Sequence, residues 1–154
     1  MLANTLGVHG LTHLWAALVM EKRILLRASS YTALTVAAEG ASGLIWPLRW
    51  IHVYIPVLPY SLVDYIEAPT PFLIGLHTSV SLIGHFLDGL IIFDLDTGIV
   101  HHSETLLPPP PEGLTPWFNM RCFHFSSVTS GLFEAVKVFI KLKIPDLTDL
   151  NCAK

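Results

Sequence analysis

The sequence predicts an α/β fold: a mostly parallel sheet covered by helices on both faces. Three observations carry that expectation. Residues 72–77 (FLIGLH) and 90–95 (LIIFDL) are short runs with apolar side chains at both parities, the pattern of strands buried on both faces. Stretches rich in Ala, Leu and Val lie between such runs, and helices alternating with buried strands imply parallel pairing. Gly and Pro punctuate the joins.

The elements follow in order. Residues 11–20 (LTHLWAALVM) are helix formers that close on Glu21 and Lys22, and residues 23–29 (RILLRAS) read as a short strand. Ser30 is a good N-cap for a helix over YTALTVAAEGASGLIW, which Pro47 ends. Residues 53–59 (VYIPVLP) are β-branched and extended, and the prolines at 56 and 59 confine them to an edge or a strand end. A short helix is expected over YSLVDYIE, with Leu62, Val63 and Ile66 facing in and Asp64 and Glu67 facing out. The two apolar strands come next, then a turn at residues 96–98. Four consecutive prolines mark a linker over residues 106–116. Residues 127–143 repeat apolar positions at helical spacing, Val128, Leu132, Val136, Phe139 and Ile140. The expected organisation is an α/β segment over residues 1–105, the linker, and a helical tail over 117–154.

Composition narrows the function. The 154 residues are 52% hydrophobic and only 14% charged, with a mean hydropathy of +0.56; a freestanding soluble domain carries about 25% charged residues. A chain with so little polar surface spans a membrane, packs against a partner, or is a piece of a larger protein. A net charge of −3 with scattered basic residues excludes a nucleic-acid footprint. Cys122 and Cys152 form no metal-type or redox pair and point to a reducing compartment. No Lys or Arg precedes Lys22, which argues against a secretory leader. Residues 2–20 and 68–87 lack Asp, Glu, Lys and Arg, so a small polytopic membrane protein is the rival reading; buried core elements explain both stretches as well.

The chemistry-like stretch is residues 91–100, IIFDLDTGIV. An apolar strand followed by Asp-x-Asp suits a haloacid-dehalogenase-like phosphatase with Asp94 as nucleophile and Asp96 as acid. That pattern usually continues with Gly-Thr, whereas Thr97 and Gly98 are in the reverse order, and Asp146 and Asp149, far downstream, follow no strand that would present a magnesium pair. An aspartic protease needs two Asp-Thr-Gly copies, and one is present. A strand ending in a turn is the better account. The histidines at 52, 77, 85, 101 and 102 have no ligand spacing, and adjacent strand residues such as His101 and His102 point to opposite faces. No metal or other cofactor is expected.

The middle of the chain is distinctive. PLRWIHVYIPVLPYSLVDYIEAPTPFLIGLH, residues 47–77, closely resembles the central segment of DENN domains, modules of guanine-nucleotide exchange factors for Rab GTPases. The residues that carry the resemblance are Pro47, Trp50, Tyr54, Pro56 and Pro59, then Pro69, Pro71 and Gly75. Upstream, LWAALVMEKRILLRAS is similar to the family's helix, charged break and strand. Downstream, DGLIIFDLDTGIV looks like a later family strand, with Asp94 and Asp96 at its end.

The resemblance covers roughly residues 6–100 and implies a mechanism without covalent chemistry. DENN proteins hold a GDP-bound Rab between a longin-like lobe and a lobe built from central and downstream segments, and favour the nucleotide-free GTPase. The family's signature prolines and aromatics are structural. Contact positions are expected among exposed groups near strand ends and the intervening helix: Arg49, His52, Asp64, Glu67 and His77. No counterpart of the longin-like lobe precedes residue 6, so a GTPase-binding fragment is expected, in the cytoplasm or peripheral on vesicle or endosomal membranes through the parent protein.

Overall fold

The computed structural model describes residues 2–101, with side chains from Thr5 onward. His102, both cysteines, Asp146, Asp149, the linker and the C-terminal helix expected above lie outside the described residues.

The core is a five-stranded sheet in the order β2-β3-β1-β4-β5. Its strands are β1 (Arg23–Ala28), β2 (Val53–Ile55), β3 (Phe72–His77), β4 (Leu90–Asp94) and β5 (Val100–His101). The first four are parallel; β5 returns antiparallel to β4. Pairing runs Leu25↔Ile74 on one side of β1 and Leu25↔Ile92 on the other, so the apolar strands at the centre have neighbours on both edges.

Each face of the sheet has its own cover. Helices α1 (Leu2–Val19) and α2 (Tyr31–Leu44) pack together and against the central strands. In α2 the buried residues Leu34, Ala37, Ala38 and Ala41 repeat at helical spacing, and three alanines let the helix lie close to the sheet. Ser30 caps it, its Oγ accepting from the Ala33 N–H at 3.4 Å. Beyond the opposite face, Leu58, Ile66 and Val80 join Leu25, Phe72, Ile74, Leu76 and Leu90 in one core cluster. Burying each large side chain there contributes about 1.5–3 kcal/mol.

Gly75 shows how tightly β3 is held. A Cβ at that position would overlap the Pro56 carbonyl oxygen and touch Leu34 of α2. Its own carbonyl accepts from the Leu58 N–H at 2.7 Å. The chain after β2 therefore leans directly on the β3 backbone, and only glycine leaves room for it.

Four expectations need correction. Helix α1 begins nine residues before residue 11 and contains a break at Gly7, whose φ of 64° and ψ of −178° join two helical pieces. Strand β2 stops at Ile55, because Pro56 has no N–H to continue a ladder. The short helix over residues 60–67 is a 3-10 helix with a non-helical residue at Leu62, and its inward face is not the one expected. At three residues per turn Val63 and Ile66 align, so Ile66 is fully buried while Leu62, expected inside, is 42% exposed. Finally, no helix among the described residues is long and apolar enough to cross a membrane, and residues 68–87, the second candidate span, are chiefly β3 and a loop.

Candidate functional site

The expected contact residues fall on two edges of the sheet. At the amino ends of the strands, His52 presents Nε2 to Glu21 Oε1 at 3.6 Å and stands edge-on to Trp50, with ring centroids 5.2 Å apart. Trp50 is anchored in turn, its Nε1 donating to the Val53 carbonyl at 3.1 Å. Arg49 is exposed in the segment leading into β2, and Asp64 is exposed on the 3-10 helix. Glu67 closes that helix: its Oε1 pairs with His85 Nδ1 at 2.8 Å and accepts from the Phe86 N–H at 3.4 Å. Those two bonds, the His85 one first, hold its carboxyl below the usual range.

His77 is at the other edge, where β3 ends. Val53 is in register with Phe72, five residues before His77, and at about 3.3 Å per residue that separates the edges by about 16 Å. His52 and His77 cannot meet one small group; only a macromolecular surface reaches both.

The carboxyl edge carries a connected polar network. Ala28 pairs with His77, so the residues after β1 lie beside the end of β3. His77 Nε2 lies 2.8 Å from the Ser29 carbonyl, and its Nδ1 lies 2.7 Å from Ser79 Oγ and accepts from the Ser79 N–H at 3.1 Å. Tyr31 stacks on the ring at a centroid distance of 4.6 Å. Asp96 accepts from the Ser29 N–H at 2.8 Å and from its hydroxyl at 3.1 Å. Asp94 Oδ1 accepts from the Asp96 and Thr97 N–H groups, at 2.9 and 3.1 Å. Both aspartates thus shape and fasten the turn after β4, the role of a strand end. No cluster of three or more His, Cys, Asp or Glu among the described residues is placed to hold a metal ion.

The remaining signature residues hold the backbone around β2. Tyr54 donates its hydroxyl to Glu39 Oε1 at 2.6 Å, tying the edge strand to α2. Burial, that bond and the Glu39 charge push the phenol well above its ordinary range. Pro47 follows a cis peptide bond from Trp46. Pro59 is extended, with φ −63° and ψ 147°, and caps the 3-10 helix; Pro69 and Pro71 flank the step into β3.

Sequence reasoning did not single out Ser29, Tyr31 or Ser79, and weighed His85 only as a metal ligand, not as the partner of Glu67. Each is an ordinary loop or cap residue locally, and its role comes from a partner on another element.

The comparisons with known proteins agree with this architecture. The DENN (AEX-3) domain family model matches residues 1–98. The chain is 42% identical over 111 residues, 72% of its length, to the DENN domain and WD repeat-containing protein SCD1 of Arabidopsis thaliana. It is 41% identical over 92 residues, 58% of its length, to the human DENN domain-containing protein 1A. To the mouse DENN domain-containing protein 1C it is 48% identical over 68 residues, 44% of its length. In each case the match spans 9% of the relative's length. With four of the five strands and both α-helices inside the matched residues, and only the short β5 beyond Gly98, the chain belongs to the DENN (AEX-3) domain family.

Proposed function

We propose that this chain binds a Rab-family small GTPase and acts as the central part of a guanine-nucleotide exchange factor, promoting GDP release without covalent chemistry. The observation that supports the reading is the family match over residues 1–98, which takes in four of the five strands and both α-helices. An exchange factor must bind the empty GTPase more tightly than the loaded one, because only that difference shifts the nucleotide equilibrium.

Arg49 and Asp64 are the first contact candidates. Both are exposed, and neither is committed to a hydrogen bond or ion pair among the described residues. His52, Glu67 and His77 are contact candidates of a second kind, already held in place by Glu21 and Trp50, by His85, and by Ser29 and Ser79. The spread of these five over both edges suits a GTPase surface. The proposed location is the cytoplasm and the cytosolic face of vesicle or endosomal membranes, reached through the parent protein.

The test is a titration of the purified chain against a panel of Rab proteins, each nucleotide-free and GDP-loaded. Saturable binding to one Rab supports the reading and names the client. Binding to none overturns it for this chain.

A further inference from the structure

Strand β1 is apolar at its centre yet carries a guanidinium near its end. Arg27 lines an open cavity of about 550 Å3, together with residues of the β3–β4 loop that include Thr78, Ser79, Ser81 and Ile83. The cavity sits where the carboxyl end of β1 meets the β3–β4 loop. From β1 the chain runs to β2 and β3 on one side and later adds β4 on the other, and open α/β sheets bind ligands at such a reversal.

The donors there are under-used. An arginine has five N–H donors. Nη2 of Arg27 donates to the Thr78 and Val80 carbonyls, at 3.0 and 3.1 Å, which fixes the plane of the group. Nε is buried with no acceptor, and Nη1 makes no hydrogen bond among the described residues. Asp94 is the register neighbour of Arg27 on β4, but its Oδ1 serves the Asp96 and Thr97 amides and it forms no ion pair with Arg27. Ser81 Oγ accepts from the Ile83 N–H at 3.2 Å, so its own proton is left to donate. A fixed positive charge and a spare hydroxyl proton therefore line a cavity to which no carboxylate contributes.

We propose that the Arg27 cavity is an oxyanion site, taking a carboxylate or phosphate group of a ligand through Nη1 of Arg27 and the Ser81 hydroxyl. Charge-assisted bonds from a planar guanidinium are the strong kind, and they suit either group. The proposal stands apart from the GTPase reading, since its ligand-holding groups, Arg27 and Ser81, are not among the five contact candidates and its ligand is of a different class.

The experiment is an NMR titration of the isotope-labelled full chain with inorganic phosphate and, separately, with acetate, at ionic strength held constant with chloride. The expected result is saturable shifts of the Arg27 Nε–H and of the Thr78, Ser81 and Ile83 amides, weakened at least fivefold in Arg27→Gln. Ile83 is 93% exposed, so Ile83→Glu adds a carboxylate at the rim without disturbing the core and weakens binding in the same direction. That variant decides the matter should Arg27→Gln fail to fold. Tighter phosphate binding assigns the site to phosphate-bearing ligands, and tighter acetate binding to carboxylate-bearing ones. Failure of both anions to saturate, or equal shifts in wild type and Ile83→Glu, overturns the proposal.

Discussion

His77 Nε2 donates to the Ser29 carbonyl across 2.8 Å, joining the end of β3 to the end of β1. A carbonyl only accepts, so this bond fixes the proton on Nε2. Nδ1 is then free to accept from both the hydroxyl and the N–H of Ser79. The ring is neutral in one tautomer, with Tyr31 stacked on its face. NMR of the ring nitrogens should show a proton on Nε2 and none on Nδ1. Replacing His77 by Ala removes these bonds and should cost about 1–2 kcal/mol of stability in denaturant unfolding. A proton found on Nδ1 would contradict the assignment.

Gly75→Ala should be among the most damaging single-methyl changes in the chain. The new Cβ meets the backbone carbonyl of Pro56, which no rotamer change relieves. Overpacking of this kind costs about 1–3 kcal/mol, and more where backbone must move. Gly43→Ala is the control: nothing lies within 4 Å of its added Cβ, and the residue is in α2. That change should stabilise by up to about 1 kcal/mol through helix propensity. Unfolding midpoints of the two variants should move in opposite directions.

The Glu67–His85 pair sets a pH dependence at the acid end. Glu67 is held below its ordinary value, first by His85 and then by the Phe86 amide. A carboxyl with a depressed folded-state value contributes stability that is present above its unfolded value and is lost as pH falls through the folded one. Glu67→Gln should therefore lower the unfolding midpoint near neutral pH and lose that effect as the solution is acidified through the carboxylate range. Tyr54 acts at the alkaline end with the opposite sign. Its raised value means a contribution fully present below the ordinary phenol range, which then fades as pH climbs through it. Tyr54→Phe should be less sensitive to alkali than wild type.

Charge reversal at the two uncommitted contact candidates separates binding from folding. Arg49→Glu and Asp64→Lys alter exposed groups, where substitutions usually change stability by no more than about 0.5 kcal/mol. Each should weaken GTPase binding about tenfold, the scale on which interface charges act. Calorimetry of binding alongside thermal unfolding measures both effects in one preparation.

The sheet was legible because its strands announce themselves. FLIGLH and LIIFDL have apolar side chains at both parities, and both are strands flanking β1, with buried residues on each face. Ser30 was legible as a cap because its hydroxyl acts on a neighbour three residues away. Leu62 was misread because the chain there takes three residues per turn, which lines Ile66 up with Val63 and leaves Leu62 off that stripe. The early start of α1 was missed because Gly7 breaks the local pattern. The candidate site was less legible, since sequence spacing says nothing about which edge of a sheet a residue reaches. His52 and His77 read alike as strand-end histidines, yet one lies just before β2 and the other ends β3. Arg27 did carry a signal, a charge inside an otherwise buried strand, but its under-used donors emerge only from tertiary packing.

The measurement that tests the central claim most directly is the ratio of dissociation constants of this chain for one Rab, nucleotide-free against GDP-loaded. An exchange-factor core should prefer the empty GTPase by at least about tenfold, or 1.4 kcal/mol of coupling. Equal affinity for the two forms, or tighter binding of the GDP-loaded one, would contradict it.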